Sequence, residues 1–557
     1  MRPKRLLPNG GKGRASANTQ TVDQGSLTMR SRFALQNRRP GARPTPWRHG
    51  EPHSETALSK TRILGQTRQQ NGAMAPKEYR GSHRMHDELL GALRRIVGPA
   101  NVLAGDDKAS YETDWRGQVH GSALAVVRPG SVEQTRAVVQ QCADRHVAIV
   151  PQGGNTGLAA GATPDASGSQ VILSLRRLTA IRKVDRANMT VTVEAGCTLQ
   201  GLRESLMAQG LLFPLSLGSE GTCTIGGNLA TNAGGAQVLR FGNARDLCLG
   251  LEFLTADGEL VSELGGLRKN NTGFDLKGLI IGSEGSLGII TAATLKIEHA
   301  PASSVCAWMG LRNVDSAVAL LRRCQASLGT ELTSFEIMNR ASLELAADAF
   351  PGMPIPFLDN KDVEQFALMQ LDSQAPHETL QARIEQTLGA AMDDAELIDA
   401  SISDSMQRAK SFWLIRENIV LAQASKPHVV NFDISVPISA VNRFLVLSAR
   451  KIEERHGALP IVCFGHLGDG NLHFSVHTSR LHEAAVTPNI EDDLRNELYR
   501  IVLDLEGSFS AEHGIGARKT SHLRKYKAGA RLRMMQRIKQ ALDPRNLLNP
   551  GKVVQPD

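Results

Sequence analysis

No stretch of this 557-residue sequence approaches the roughly 18 consecutive apolar residues that a membrane-crossing helix needs. The amino-terminal region also lacks the apolar core of a secretory signal, which argues against export. Cysteine is sparse: Cys142, Cys197, Cys223, Cys248, Cys306, Cys324 and Cys463 are odd in number and never form a C-x-x-C pair. That argues against a disulfide framework and suits structural, reduced thiols in a reducing compartment. None of the glycine-rich blocks reads G-x-G-x-x-G or G-x-x-x-x-G-K-[ST], so neither a Rossmann dinucleotide site nor a P-loop is supported.

Acidic residues are scarce at one end only. Residues 1–80 hold sixteen Lys/Arg against four Asp/Glu, a net of +12; the whole chain carries +8, which leaves −4 for residues 81–557. The polyanion-seeking character therefore belongs to the leader, and no nucleic-acid partner is expected for the mildly acidic body. Residues 1–84 are rich in Arg, Pro, Gly, Ser, Asn and Gln without apolar periodicity, and we expect them to be disordered. Such a leader resembles a mitochondrial transit peptide, or precedes a true start at Met74 or Met85. Pro40, Pro44 and Pro46 would break a targeting helix and favour the second account. The expected location is the cytoplasm, or the mitochondrial matrix if the leader is a eukaryotic transit peptide.

The chain has ordinary globular composition, with 41% hydrophobic and 22% charged residues. Periodicity predicts a helix from His86 to Val97, a strand at Ala123–Val127, a helix over Val132–His146 introduced by Ser131 and Gln134, and a strand at Val147–Val150. Glycine then becomes abundant: twenty-four of 52 fall between 151 and 300, in blocks that each follow an apolar run. Such density brings backbone close to a ligand, because amide N–H groups can converge on an anion and no Cβ obstructs a flat ring. A loop-rich domain with many tight turns is the alternative. From Val305 two β-α-β units succeed each other, Val305–Ile337 and Phe366–Ala400, as in a ferredoxin-like α+β module. A helix over Gln407–Ser425 carries Arg416, and residues 490–548 read as mostly helical.

Chemistry-bearing residues concentrate late. His466 and His473 in Gly-His-Leu-Gly-Asp-Gly-Asn-Leu-His, with Glu512 brought in by the fold, would make a two-histidine, one-carboxylate site for Zn²⁺ or another divalent ion. The alternative is a set of turn histidines bonded to backbone. His513, beside Glu512, is placed to act as a base on whatever a metal holds. Arg416 lies on an apolar helix face, where its charge needs a substrate carboxylate or a structural acid partner. Spacing alone favours the structural pair.

In order along the chain, Val126–Gly130, Pro151–Leu158, Thr224–Asn228, Asn232–Gly235, Gly282–Thr291, Gly465–His473, Glu512–Gly516 and Asn549–Lys552 resemble the FAD-linked oxidases of the vanillyl-alcohol-oxidase type. Within them the sequence is most similar to the branch of D-2-hydroxyglutarate dehydrogenase, D-lactate dehydrogenase and glycolate oxidase. The resemblance implies an α+β fold: a PCMH-type FAD-binding domain over 85–300, a ferredoxin-like substrate domain over 301–489, and a helical segment over 490–557 that completes the active site. It places FAD against Gln152, Gly153, Gly154, Asn155, Thr156, Gly157 and Leu158, against Ser219, Thr224, Ile225, Gly226, Gly227 and Asn228, against Asn232, Gly234 and Gly235, and against Glu284, Gly285, Gly288, Ile289 and Ile290. It also implies a metal on His466, His473 and Glu512, proton removal by His513, and a substrate carboxylate on Arg416, with hydride passing from C2 to the flavin.

The departures concern specificity. Where the hydroxyglutarate enzymes are expected to carry threonine, lysine and asparagine, this sequence has Val420, Asn431 and Ser475. A pocket without that lysine offers less to a second carboxylate, so a 2-hydroxy acid with a shorter or more apolar side chain is expected. The expected electron acceptor is an electron-transfer flavoprotein, a cytochrome or a quinone, and a homodimer is compatible with the sequence. Return of electrons to O₂, or service as a subunit of a glycolate-oxidase-like complex, are the rival readings. Absence of histidine from the glycine blocks favours noncovalent FAD.

Overall fold

The structure, a computed structural model, describes residues 76–479, 481 and 489–556. The expected disordered leader falls outside the described residues as far as residue 75. Its last part is a correction: the first helix runs Pro76–Val97 and so begins before Met85. Proline at the first helical position loses no hydrogen bond, because that N–H has no intrahelical acceptor, and its fixed φ already suits the helix.

Four strands open the fold: β1 (Val102–Leu103), β2 (Ala123–Val127), β3 (Ile149–Gln152) and β4 (Gln170–Ser174), in the order β1-β2-β4-β3. β2 and β3 flank β4, and both run parallel to it. The helix between them, Val132–Asp144, starts on Ser131, whose Oγ accepts from Gln134 N at 3.2 Å. The Gln134 side chain reaches back to Gly130 N at 2.8 Å, one residue outside the expected capping-box partner.

Then come β5 (Ile181–Asp185), β6 (Thr190–Glu194), β7 (Leu211–Leu212), β8 (Cys248–Leu254), β9 (Leu260–Glu263), β10 (Ile289–Lys296) and β11 (Glu298–His299). Five of them form an antiparallel sheet in the order β5-β6-β10-β8-β9, and β7 pairs with β11 apart from it. β10 occupies the middle, and all but its last residue are buried, which explains its run of Ile, Thr, Ala and Leu. One apolar core joins both sheets to Leu89, Leu93 and Val97 of the first helix. All seven cysteines are free and buried.

The second half is one seven-stranded sheet of β12 (Ser303–Leu311), β13 (Leu332–Asn339), β14 (Gln365–Ser373), β15 (Asp399–Ile402), β16 (Val429–Ser435), β17 (Ile461–His466) and β18 (Asn471–His477), ordered β15-β12-β14-β13-β17-β18-β16. Its first four strands, in chain order 4-1-3-2, have ferredoxin-like topology. Each β-α-β unit is split: β14 lies between β12 and β13, antiparallel to both. Helices Val314–Leu328 and His377–Asp393 cover one face, and helices Arg340–Ala349 and Met406–Ala424 cover the other.

The carboxy-terminal segment ties the halves together. Helix Ile490–Asp504 buries Leu494, Leu498 and Val502 in the core of the large sheet, whereas Leu548 is buried in the core of the first half. Ile149 N donates to Leu547 O and Asn549 N to Ile149 O, both at 2.7 Å, so the chain end extends the edge of β3. No helix among the described residues is long and apolar enough to cross a membrane.

Candidate active site

Between the two sheets of the first half lies a cleft whose lining is rich in glycine. Gln152, Gly153, Gly154, Asn155, Thr156 and Gly157 form one wall, Thr224, Gly226, Gly227 and Asn228 a second, and Glu284, Gly285, Gly288, Ile289 and Ile290 a third. Two of the first wall's glycines are required by contact. A Cβ at Gly154 would stand 2.1 Å from Thr222 O, and one at Gly153 2.3 Å from Thr224 Oγ1. Thr224 also caps the short helix Ile225–Ala230, so its hydroxyl fixes the second wall while leaving room only for glycine opposite.

His513 lines the same cleft and connects it to a cluster on the large sheet. β17 and β18 carry His466 and His473 towards Glu512: His466 Nε2 lies 3.5 Å from Glu512 Oε1, and His473 Nε2 lies 3.9 Å from Oε2. Asp433, His473, Glu512 and His513 also bring ligand-type atoms within 4.8 Å of one another. His473 and His513 stack, with ring centroids 6.1 Å apart at 14°.

Two buried acids that sequence reasoning missed organise this cluster. Glu336 on β13, fully buried, receives His466 Nδ1 at 2.6 Å and Arg416 Nε at 2.9 Å. Burial alone would raise its pKa, but His466 and Arg416 outweigh burial and hold it below the usual carboxylate range. An ionised carboxylate only accepts, so Nδ1 carries the proton; against burial, Glu336 and Glu512 hold the His466 pKa up at about 9, and Nε2 faces Glu512. Asp433 on β16 accepts the backbone N–H groups of Glu512 at 2.9 Å and His513 at 2.8 Å, with its Oδ2 3.4 Å from His513 Nδ1. Burial opposes its charge, yet His513, Lys519 and His473 keep it well below the ordinary value. Burial also drives His473 down to about 3 and Glu512 up to about 7. The donor set thus brings the neutral His473 imidazole together with His466 and the buried Glu512 carboxylate, ligand types that suit a divalent cation. An acid inside each of two apolar strands, Phe335-Glu336-Ile337 and Phe432-Asp433-Ile434, is the sequence signal that could have found both.

Residues 123–263 match the family model "FAD binding domain", and residues 300–553 match "FAD linked oxidases, C-terminal domain". The chain is 34% identical over 472 residues to a probable mitochondrial D-2-hydroxyglutarate dehydrogenase of Oryza sativa subsp. indica, covering 84% of this chain and 82% of the relative. It is 36% identical over 473 residues to D-2-hydroxyglutarate dehydrogenase of Xanthomonas citri pv. viticola, covering 84% and 95%. The chain belongs to the FAD-linked oxidase family.

Solved structures show the shared fold of this FAD-linked oxidase at low identity. A p-cresol methylhydroxylase with substrate bound superposes with a TM-score of 0.67 at 15% identity over 85% of this chain and 97% of that one. An alkyldihydroxyacetonephosphate synthase gives 0.64 at 18% identity over 83% and 84%. The glycine-rich cleft fits FAD, since amide-rich walls suit a pyrophosphate and Cβ-free ones a flat ring.

Other sequence-selected residues of the FAD-linked oxidase lie elsewhere. Leu158, Ser219, Ile225, Asn232, Gly234 and Gly235 are not in the cleft lining. Ile225 is buried in the core, and Asn232 Oδ1 accepts Arg245 N at 3.0 Å. A Cβ at Gly234 would meet Glu512 Oε1 at 3.2 Å, which puts this glycine against the acid cluster. Gly235 packs against Ser216 O, and Ser219 sits in the turn that precedes Cys223. Arg416 has the acid partner that spacing favoured, but only through Nε; its Cζ lies 4.7 Å over the Phe464 ring. Asn431 and Ser475 are Cα partners on β16 and β18, two residues from the Asp433–His473 pair and so on the same face. Asn431 Oδ1 accepts Ser475 Oγ at 2.8 Å and Gln423 Nε2 at 3.1 Å. Val420 is 48% exposed.

Proposed function

We propose that this chain oxidises a D-2-hydroxy acid to the 2-oxo acid with FAD and a divalent metal, Zn²⁺ or a similar ion. The observation that carries this is the meeting of His466, His473 and Glu512 beside His513, which itself lines the cofactor cleft. FAD, when bound, supplies the hydride acceptor for C2. Arg416, fixed by Glu336 through Nε, keeps its terminal nitrogens for the substrate carboxylate. His513 takes the hydroxyl proton, and Asp433 holds its loop in place through two backbone hydrogen bonds. His466, His473 and Glu512 would hold the metal, which supplies Lewis-acid polarisation of the α-hydroxyl. Glu336 orients the His466 ring for that task.

The neutral amide and hydroxyl group Gln423, Asn431 and Ser475 provides no cation for a second carboxylate, and this supports a monocarboxylic substrate with a shorter or more apolar side chain. D-2-hydroxyglutarate is the second reading, favoured by the names and the 34–36% identity of the relatives. Electrons released on turnover go to an electron-transfer flavoprotein, a cytochrome or a quinone. We further propose the division at residues 85–300, 301–489 and 490–557, a homodimer, and residence in the cytoplasm or, as for relatives named mitochondrial, the mitochondrial matrix.

The test uses the purified full chain. Its visible spectrum is recorded, and D- and L-2-hydroxy acids are then added anaerobically. Bleaching of flavin absorbance by D-acids, best with D-lactate and longer monoacids and abolished by a chelator, is the expected result. No flavin absorbance, or bleaching that survives both chelation and His466→Ala, overturns the cofactor or the metal reading respectively. A strong preference for D-2-hydroxyglutarate overturns the specificity reading.

A further inference from the structure

A strongly charged surface near the end of the chain, around Arg531, Arg533 and Arg537, lies outside the lining of the cofactor cleft and the acid cluster. Residues 516–545 contain ten Lys/Arg against the single acid Asp543, a net of +9, so the rest of 81–557 carries −13. Both ends of this segment are fastened to the walls of the cofactor cleft. At the near end Gly516 N donates to Glu284 Oε2 at 2.9 Å, and Ala517 N donates to Ala159 O at 3.0 Å. At the far end Lys539, fully buried, donates to Ser286 O at 2.9 Å, beside the glycines of the third wall.

Lys539 is the only fully enclosed residue of helix Ala530–Leu542, and helical geometry turns Arg533 and Arg537 to the opposite side. These two are like charges four residues apart, an arrangement that opposes the isolated helix. Arg531, Arg533 and Arg537 are exposed, and among the described residues none is paired with a carboxylate. Met534 beside them is 56% exposed. Arginine and methionine are the residues enriched where proteins meet partners, and an unpaired cationic ridge steers an anionic surface towards it.

We propose that this ridge, centred on Arg533 and Arg537, docks the acidic face of a one-electron carrier protein that takes electrons from the enzyme. The proposal rests on the dehydrogenase reading for its purpose. Each hydroxy acid oxidised yields two electrons and two protons; two carriers take one electron each, and the protons pass to water. The rest of 81–557, with a net charge of −13, does not attract an acidic carrier on balance, so the ridge favours both this partner and this approach.

The test compares native cytochrome c, which is basic, with its succinylated form, which carries the same haem on an acidic surface. With the FAD-loaded full chain at low ionic strength, the succinylated form is expected to be reduced about tenfold faster, an advantage that added salt removes. Arg533→Glu/Arg537→Glu is expected to abolish that advantage, and Arg533→Gln/Arg537→Gln to reduce it, with turnover on a neutral dye unchanged in both. Direct binding of oxidised succinylated cytochrome c, without hydroxy acid, should weaken in parallel. Equal rates with the two cytochromes, or variants that keep the preference, overturn the proposal. So does loss of binding to phosphatidylserine vesicles in variants whose cytochrome kinetics are unaltered, which would assign the ridge to a lipid surface. If hydroxy acids fail to bleach the flavin, the dehydrogenase reading falls while the binding measurement still decides the docking surface.

Discussion

Glu336 and His466 are Cα partners across β13 and β17, and the His466 Nδ1–H donates to Glu336 Oε1 at 2.6 Å. The other oxygen of the same carboxylate takes Arg416 Nε, so one buried acid orients both a metal-ligand candidate and a carboxylate-clamp candidate. Glu336→Gln keeps the shape but presents an N–H₂ to one of two groups that donate. We expect kcat/KM to fall by about 10- to 100-fold and metal affinity to fall with it. Parallel metal titration and steady-state kinetics check this; an unchanged metal affinity would limit the role of Glu336 to the arginine.

Gly154→Ala and Gly157→Ala form a matched pair. A Cβ at 154 strikes Thr222 O at 2.1 Å and Cys223 Cα at 2.9 Å, both backbone atoms, whereas one at 157 meets nothing within 4 Å. The first variant should lose at least about tenfold in FAD affinity, corresponding to ~1.4 kcal/mol, and the second should lose less, because its Cβ displaces no protein atom. Fluorescence titration of the apoprotein with FAD distinguishes them.

Glu284 couples the cofactor cleft to the loop that carries His513. Its Oε1 accepts Ile515 N at 2.7 Å and its Oε2 accepts Gly516 N at 2.9 Å, while burial raises its pKa. In Glu284→Gln one acceptor is replaced by a donor facing a backbone N–H. A loss of about 1–3 kcal/mol in stability is expected, with kcat lowered more than KM is raised. Thermal melts and kinetics on the same preparation test whether the loop has shifted.

Lys539 and Asp543 form a fully enclosed pair at 2.6 Å that fastens the last helix to Ser286 O and Leu548 O. Lys539→Met strands a buried carboxylate. Urea denaturation should register a loss of about 3–5 kcal/mol, partly recovered when Asp543→Asn is added.

Burial lowers Lys519 from 10.5 to about 8, against the opposing pull of Asp433. Between those values the unfolded chain holds a proton that the folded chain has released, so stability rises with pH across this window. The contribution is complete above 10.5, is lost as pH falls through about 8, and amounts to on the order of 3 kcal/mol. Compared with Lys519→Met, the parent protein should gain stability from pH 8 to pH 10; a constant difference between the two would contradict the shift.

Local pattern carried much of the architecture. Ala123–Val127 is β2 as the periodicity indicates, and the glycine blocks at 152–157 and 284–288 line one cleft because dense glycine serves close approach wherever the chain folds. Of helix Pro76–Val97 only the stretch before His86 escaped, because it lies in basic, turn-rich sequence where no apolar stripe announces a helix. Gly234 turned away from the cofactor cleft and towards Glu512 because the motif is a short stretch of backbone whose neighbours are set by chain segments hundreds of residues away.

The sequence by itself determined which residue types are available for the chemistry: two histidines and an acid near the end of the chain, a third histidine beside that acid, and an arginine in an apolar helix face. Side-chain type and local period are properties of neighbours along the chain. Only the tertiary structure decided that Glu336 stands between His466 and Arg416, that Asp433 holds the 512–513 backbone, and that a neutral Gln423–Asn431–Ser475 group lies beside them. Those relations depend on which strands pair and in what register, and a shift of one residue in β13 or β16 would turn each acid to the opposite face of the sheet.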